Sequence, residues 1–226
     1  MKDTLTITQV LCTRLCHDLA GPIGAVAAGV ELVGDDPSQV DAETLQLLAN
    51  SSAAAARKLK FLRVALGTSG AAAAMKDFQT TVAHYFEAIA GPSGPAKLSW
   101  PAQDVLTAAA HAGQGQGAQV LANLILMTSE VIPRLREIVV TVNAAGAVAT
   151  LAVEARGDIS ATLDPRRDLA AVLQNPAAAA VTPKTVQALY AHDVVTHCGG
   201  ALMAEATEGG MKAAANLPLA AVATPG

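Results

Sequence analysis

The sequence predicts an α+β fold: an N-terminal antiparallel helical hairpin over residues 1–70, forming a four-helix bundle in a dimer, followed by an α/β sandwich over residues 75–226. Three observations predict it. In the first segment Leu11, Leu15, Leu19, Pro22, Val26, Val30 and Val33 recur at steps of three and four, the period of one buried helical face. In the second, Leu45, Leu48, Ser52, Ala55, Leu59, Leu62 and Leu66 alternate those steps without a fault, which is a heptad seam. A lone hairpin cannot cover both stripes, so a second copy is the economical way to close the bundle. Beyond residue 75, helical periods and β-branched runs share one layered structure.

Each element has its own signal. Pro22 removes a helical hydrogen bond and predicts a bend in the first helix. Asp35-Asp36-Pro37-Ser38 ends that helix and starts the next, with Ser38 as N-cap. The chain divides across residues 67–74. Residues 78–90 read as a helix ended by Gly91-Pro92-Ser93-Gly94-Pro95, and 97–100 as a short strand. Gly113 to Gly117 reads as a loop, which leaves residues 101–117 either an extra helix or a loop, and a clear helix covers 118–132. Runs 137–143 and 147–155, parted by Ala144-Ala145-Gly146, predict a β-hairpin. Asp164-Pro165 opens a short helix, and residues 183–197 form another, ended by Gly199-Gly200. Strands 201–206 and 211–217 close the chain around Glu208-Gly209-Gly210.

Composition narrows the function classes. At 226 residues and 52% hydrophobic the chain can bury a sizeable core, but with 3% aromatics that core must be built from Ala, Val and Leu. A net charge of -4 argues against a general nucleic-acid or membrane-surface binder, which needs a basic excess. Met1-Lys2-Asp3-Thr4 carries no signal-peptide pattern and no apolar run reaches spanning length, so the expected compartment is the cytoplasm. Cys12, Cys16 and Cys198 are too few and too scattered for a disulfide framework. A metal on Cys12, Cys16 and His17 is disfavoured, because His17 points about 100° from Cys16 on a helix and no fourth ligand is evident.

The chemistry gathers at Arg14-Leu15-Cys16-His17-Asp18-Leu19-Ala20-Gly21-Pro22-Ile23-Gly24. His17 lies two residues from both Leu15 and Leu19, so it faces away from the buried stripe. Thr13, Arg14, Ala20, Gly21, Gly24 and Ala28 share its face, and these mostly small side chains would let a second protein approach the imidazole. With a pKa of about 6.5, imidazole is a usable nucleophile at neutral pH, and the phosphoramidate it forms can pass its phosphoryl group to a carboxylate. Asp18 would either orient the ring through its other nitrogen or accept a proton. The bland alternative is an ordinary exposed histidine beside an ordinary surface acid. Arg57, Lys58, Lys60 and Arg63 form a basic cluster on the second helix, either a solvated face or, with Arg14, Gly21 and Gly24, part of a docking surface for an acidic partner.

The hairpin with His17-Asp18 and Pro22 resembles the dimerisation and phosphoacceptor segment of sensor histidine kinases, where a His-Glu pair precedes a proline at the same spacing. The second half resembles the kinase ATP-binding domain: Gln119-Val120-Leu121-Ala122-Asn123-Leu124-Ile125 is similar to its Asn-bearing helix. Residues Val194 to Leu202 and Asn216-Leu217-Pro218-Leu219 are similar to its closing helix, hairpin and Leu-Pro end. The departures are specific. Met127 stands where the resemblance puts the magnesium-binding asparagine. Ala155-Arg156-Gly157-Asp158-Ile159 stands where the adenine-recognising Asp-x-Gly-x-Gly loop belongs, and Asn175-Pro176 with the run Ala177 to Ala180 replaces the Gly-rich phosphate lid. Residues 75–226 are therefore expected to be a degenerate ATPase-like domain without ATP binding.

A bundle bearing an acceptor histidine joined to such a domain resembles the ChpT family of histidine phosphotransferases, as do Arg14-Leu15-Cys16-His17-Asp18 and Phe61-Leu62-Arg63-Val64-Ala65-Leu66-Gly67. The resemblance implies an enzyme that takes a phosphoryl group from the receiver aspartate of a hybrid histidine kinase onto His17. It would then pass the group to the receiver aspartates of response regulators, of the bacterial cell-cycle type. It implies a homodimer with no bound cofactor, no ATP, no nucleic acid and no membrane, with Mg2+ brought by the partner receiver. Two rivals differ in kind: a sensor-type histidine kinase with unusual nucleotide boxes, which nucleotide binding would reveal, and a non-catalytic scaffold that binds a kinase dimer, which would accept no phosphate.

Overall fold

The structure is a computed structural model that describes residues 4–35, 41–67, 75, 77–92, 94–159 and 164–219. Helix α1 (Thr4–Asp35) runs as one element through Pro22, and α2 (Ala42–Leu66) returns beside it. The predicted cap moves: α2 starts after Asp41, whose carboxylate accepts the Thr44 N–H at 2.7 Å, while Ser38 lies outside the described residues. The helices touch closely at Gly29, where any Cβ would overlap the Leu48 side chain. Any larger residue there would have to displace the Leu48 side chain.

The rest of the chain forms α3 (Phe78–Ala88), β1 (Lys97–Ser99), α4 (Gln103–Ala109), α5 (Gly117–Ser129), β2 (Arg134–Ala145), β3 (Val148–Asp158), α6 (Pro165–Gln174), α7 (Val186–His197), β4 (Ala201–Thr207) and β5 (Gly210–Pro218). The five strands lie in the order β1-β2-β3-β5-β4, with β1 parallel to β2 and the other pairs antiparallel. The fold is therefore α+β, a helical N-terminus joined to an α/β layer. The predicted hairpin forms with Ala145 opposite Val148, and Gly146 supplies the positive φ of 60° at its turn. Residues 101–117 resolve into α4 followed by a tight turn in which Gly113, Gln114 and Gly115 all take positive φ.

Alanines on the strands make this layer thin. Ala149, Ala155, Ala213 and Ala215 are buried and let α5 pack closely on β3 and β5, with Leu121, Leu124 and Ile125 inside. Helix α6 is fastened to the β4–β5 turn by Arg166. Its guanidinium donates to the carbonyls of Thr207 at 2.7 Å and Gly210 at 3.0 Å and makes a forked pair with Asp164, the N-cap of α6. That pair holds the Asp164 carboxyl below the usual carboxylate range.

The two apolar stripes are only partly covered within one chain. On α2, Leu62 and Leu66 turn into the core formed with Phe78, Val82 and Phe86, whereas Leu45 and Leu59 are exposed. On α1, Leu15 packs on the same core, but Val30, predicted on the buried face, stands exposed in the single chain. The lower half of the hairpin is thus part of the α/β core, and its upper half is not.

Candidate functional site

His17 sits midway along α1 with its imidazole 88% exposed. The period of the stripe already turns it outward, and nothing larger than Ala20 or Gly21 follows it on that face. A Cβ added at Gly21 or Gly24 would meet nothing within 4 Å, so the approach to the ring is open. Asp18, one residue on, points partly back towards the α/β layer, and its Oδ1 lies 3.5 Å from His17 Nδ1. A carboxylate there favours the proton on Nδ1 and leaves Nε2 with its lone pair free, the state a nucleophilic histidine needs.

Arg14 is placed differently from the expectation. Instead of offering a free guanidinium to a partner, it is mostly buried and donates from Nη2 to Glu130 Oε1, at the end of α5, while its Nε lies 3.8 Å from Asp18 Oδ2. A helix face assigned by periodicity cannot foresee a pairing 116 positions away in the chain. Burial pushes the Glu130 carboxyl up, against the pull of Arg14. Burial and then the carboxylates of Glu130 and Asp18 push the Tyr85 phenol up as well. Lys58 donates from Nζ to the backbone carbonyl of Asp18 at 3.5 Å.

The basic cluster on α2 divides. Arg57 pairs with Glu87 of α3 at 3.0 Å and Lys58 turns towards α1. Lys60 and Arg63 are exposed and carry no ion pair among the described residues. Of the residues expected to receive a partner, His17, Gly21, Gly24 and Arg63 are available at the surface, whereas Arg14 and Arg57 are engaged within the chain.

The positions to which the kinase resemblance would assign a nucleotide are occupied by core chemistry. Met127 is buried on α5. Ala155 is buried within β3, opposite Ile138 and Met211, and the neighbouring Gly157 lies so close to the Arg134 carbonyl that a Cβ would collide with it. Asn123, on the Asn-bearing helix, is wholly spent on the fold. Its amide nitrogen donates to the carbonyls of Ala65 at 2.7 Å and Gln119 at 2.8 Å, and its oxygen accepts Gln187 Nε2 at 2.7 Å. The cleft between α5, α6 and α7, about 890 Å³ in volume, is lined by three carboxylates, Glu130, Asp164 and Asp168, against Arg14 and Lys184. A triphosphate entering it would meet more negative charge than positive.

The cysteines are free, Cys12 and Cys16 exposed and Cys198 buried, and burial pushes the Cys198 thiol up. Among the described residues no group of three or more His, Cys, Asp or Glu side chains could hold a metal ion. Nor is any described helix long and apolar enough to cross a membrane.

A profile described as "Histidine phosphotransferase C-terminal domain" matches residues 80–210. The chain is 28% identical over 135 residues to the protein phosphotransferase ChpT of Brucella abortus (strain 2308), an alignment that spans 58% of each chain. Among solved structures, it is similar in fold to a bacterial phosphotransferase, with TM-score 0.70 and 20% identity over 95% of this chain and 98% of that one. A looser likeness, TM-score 0.41 at 11% identity over 90% of this chain and 98% of that one, is to the Acinetobacter baumannii histidine kinase AdeS.

Proposed function

The chain belongs to the histidine phosphotransferase family whose C-terminal domain it carries, and on that premise we propose that it relays a phosphoryl group through His17. The donor is the receiver aspartate of a hybrid histidine kinase, and the acceptors are the receiver aspartates of response regulators. The observation that carries this reading is the 88% exposed imidazole, flanked by open glycine positions and by a carboxylate 3.5 Å from Nδ1.

The chemistry balances without a nucleotide. Nε2 attacks the phosphorus of the donor's aspartyl phosphate, the P–N bond forms, and the P–O bond breaks to return the donor's carboxylate. The ring then carries a proton on Nδ1 and a partial positive charge, which the Asp18 carboxylate favours by orienting the ring and sharing that proton. The second transfer reverses these bonds onto the acceptor's aspartate. Because the transition state is loose, positioning and neutralisation of the phosphoryl oxygens decide the rate, and the magnesium that neutralises them belongs to the receiver.

The same reading makes residues 75–226 a support rather than an ATPase: Met127 has no oxygen for magnesium, Ala155 no carboxylate for an adenine amine, and the cleft charge opposes a triphosphate. It also makes the chain a cytoplasmic homodimer, in which a second copy covers exposed apolar residues of the hairpin such as Leu5, Ile23, Val30, Leu45 and Leu59. The test is direct. Purified protein incubated with a panel of phosphorylated receivers is expected to gain label, and His17→Ala is expected to gain none while keeping its circular dichroism, since an exposed ring contributes little to the core. Label on His17→Ala equal to the wild type would refute the assignment. Autophosphorylation by ATP would make the chain a kinase instead.

A further inference from the structure

We infer that Arg14 and Glu130 are positioning residues of the phosphotransfer site, forming with Asp18 a continuous line of side chains from the end of α5 to the imidazole of His17. This inference rests on the phosphotransfer reading and adds to it a role for the α/β layer.

Four observations carry it. The two oxygens of Asp18 are divided, Oδ1 towards His17 Nδ1 at 3.5 Å and Oδ2 towards Arg14 Nε at 3.8 Å, so the carboxylate cannot turn to one neighbour without leaving the other. Arg14 is held at its other end by Glu130, and its side chain is only 22% exposed. Glu130 is itself anchored, its backbone N–H bonded to the Leu126 carbonyl at 3.1 Å in the best-buried helix of the molecule. The line also borders a small cavity of about 20 Å³, walled by Leu11, Leu15, Leu62, Leu66 and Leu126 together with Tyr85 and Gln187, so Arg14, Asp18 and Glu130 meet around one enclosed space.

Other charged or titratable groups face the line: Lys58 on the Asp18 carbonyl, the Tyr85 phenol of α3, Asp164, Asp168 and Lys184 across the cleft that Arg14 and Glu130 line, and Arg134, Arg136 and Asp158 beyond Glu130. Among the described residues none of these forms an ion pair with the Asp18 carboxylate, whose partners are Arg14 and His17. Arg14 therefore sets both where Asp18 points and how much negative charge the imidazole feels. Spacings of 3.5 and 3.8 Å are long for hydrogen bonds, so Asp18 is held to its two neighbours chiefly by charge. Both residues act through Asp18 rather than on the phosphoryl group, which separates this role from the docking contact that sequence position suggests for Arg14.

The test compares the wild type with Arg14→Gln, Glu130→Gln and the conservative Arg14→Lys, in the full-length protein, using one phosphorylated receiver as donor. Two readouts are taken: the maximum transfer rate with its half-saturating receiver concentration, and the His17 ring tautomer ratio read from imidazole 15N shifts without any partner. Arg14→Gln is expected to lower the maximum rate about tenfold with half-saturation little changed, and to change the tautomer ratio as Asp18 loses the guanidinium that holds its other oxygen. Glu130→Gln should lower the maximum rate less and change the tautomer ratio less, because Arg14 stays beside Asp18. Arg14→Lys should restore the tautomer ratio and part of the rate, and it also answers any variant that fails to fold. A raised half-saturating concentration with an unchanged maximum would overturn the inference and return Arg14 to receiver contact. Maximum rates within about twofold of wild type in both glutamine variants, with an unmoved tautomer ratio, would overturn it too and reduce the line to a structural tie. Equal transfer by His17→Ala would instead defeat the underlying phosphotransfer reading, whatever the ring spectra show.

Discussion

Asp18 is drawn in two directions, by the imidazole it follows in sequence and by a guanidinium one helical turn before it. Its value to the site is charge and orientation, and an amide keeps the second and loses the first. Asp18→Asn is accordingly expected to slow transfer about tenfold without abolishing it, measured as the initial rate of label gained from a phosphorylated receiver. A loss as complete as that of His17→Ala would assign the carboxylate an essential proton-accepting role. At this scale the sequence was legible where chemistry is local. His17, Asp18, Gly21 and Gly24 could be placed because helical spacing alone orients them. Arg14 could not, since its partner Glu130 comes from another layer of the fold, and no local pattern marks a glutamate at a helix end as an ion-pair partner.

Helix α2 ends in an unusual amount of polar company. Its last carbonyls, which no helical N–H can satisfy, are met by side chains of the α/β layer. Asn123 and Gln119 donate to Ala65, Gln119 also to Gly67 at 3.1 Å, and Tyr190 to Leu66 at 3.3 Å. These bonds, with Phe61 and Ala65 buried beneath them, fix the angle at which the hairpin leaves the domain. Asn123→Ala would strand the Gln187 amide and leave the Ala65 carbonyl only the longer bond from Gln119 at 3.4 Å, and is expected to cost about 2 kcal/mol in chemical denaturation while leaving phosphoryl acceptance measurable. An unchanged midpoint would mean that the polar knot is idle. The heptad pattern predicted α2 itself almost to the residue at its C-terminal end. Its N-cap was missed because Ser38 and Asp41 are both good capping residues, and only geometry shows that Asp41 holds the Thr44 N–H. The role of Asn123 was hidden for a related reason: a helix resembling a nucleotide-binding one invites a ligand role for its asparagine, whereas here the asparagine binds the hairpin.

The whole molecule joins an elongated helical arm, half embedded in the core, to a thin alanine-rich α/β layer. Its strands were legible from β-branched runs and turn glycines, and the mixed sheet order was not, since pairing between distant strands leaves no trace in local spacing. The open apolar residues on the arm are the reason to expect two copies. Leu59→Asp places a charge on the exposed part of the seam without touching the internal core, and light scattering is expected to show the variant as a monomer and the wild type as a dimer. A monomeric wild type would remove the bundle from the account. The central claim is the relay through His17, and a pulse and chase tests it most directly. The protein is labelled from a phosphorylated receiver, the label is mapped, and an unphosphorylated second receiver is added. The account predicts acid-labile, base-stable phosphate on His17 alone, which then moves to the second receiver. Label on any other residue, or label on His17 that no receiver can remove, would contradict it.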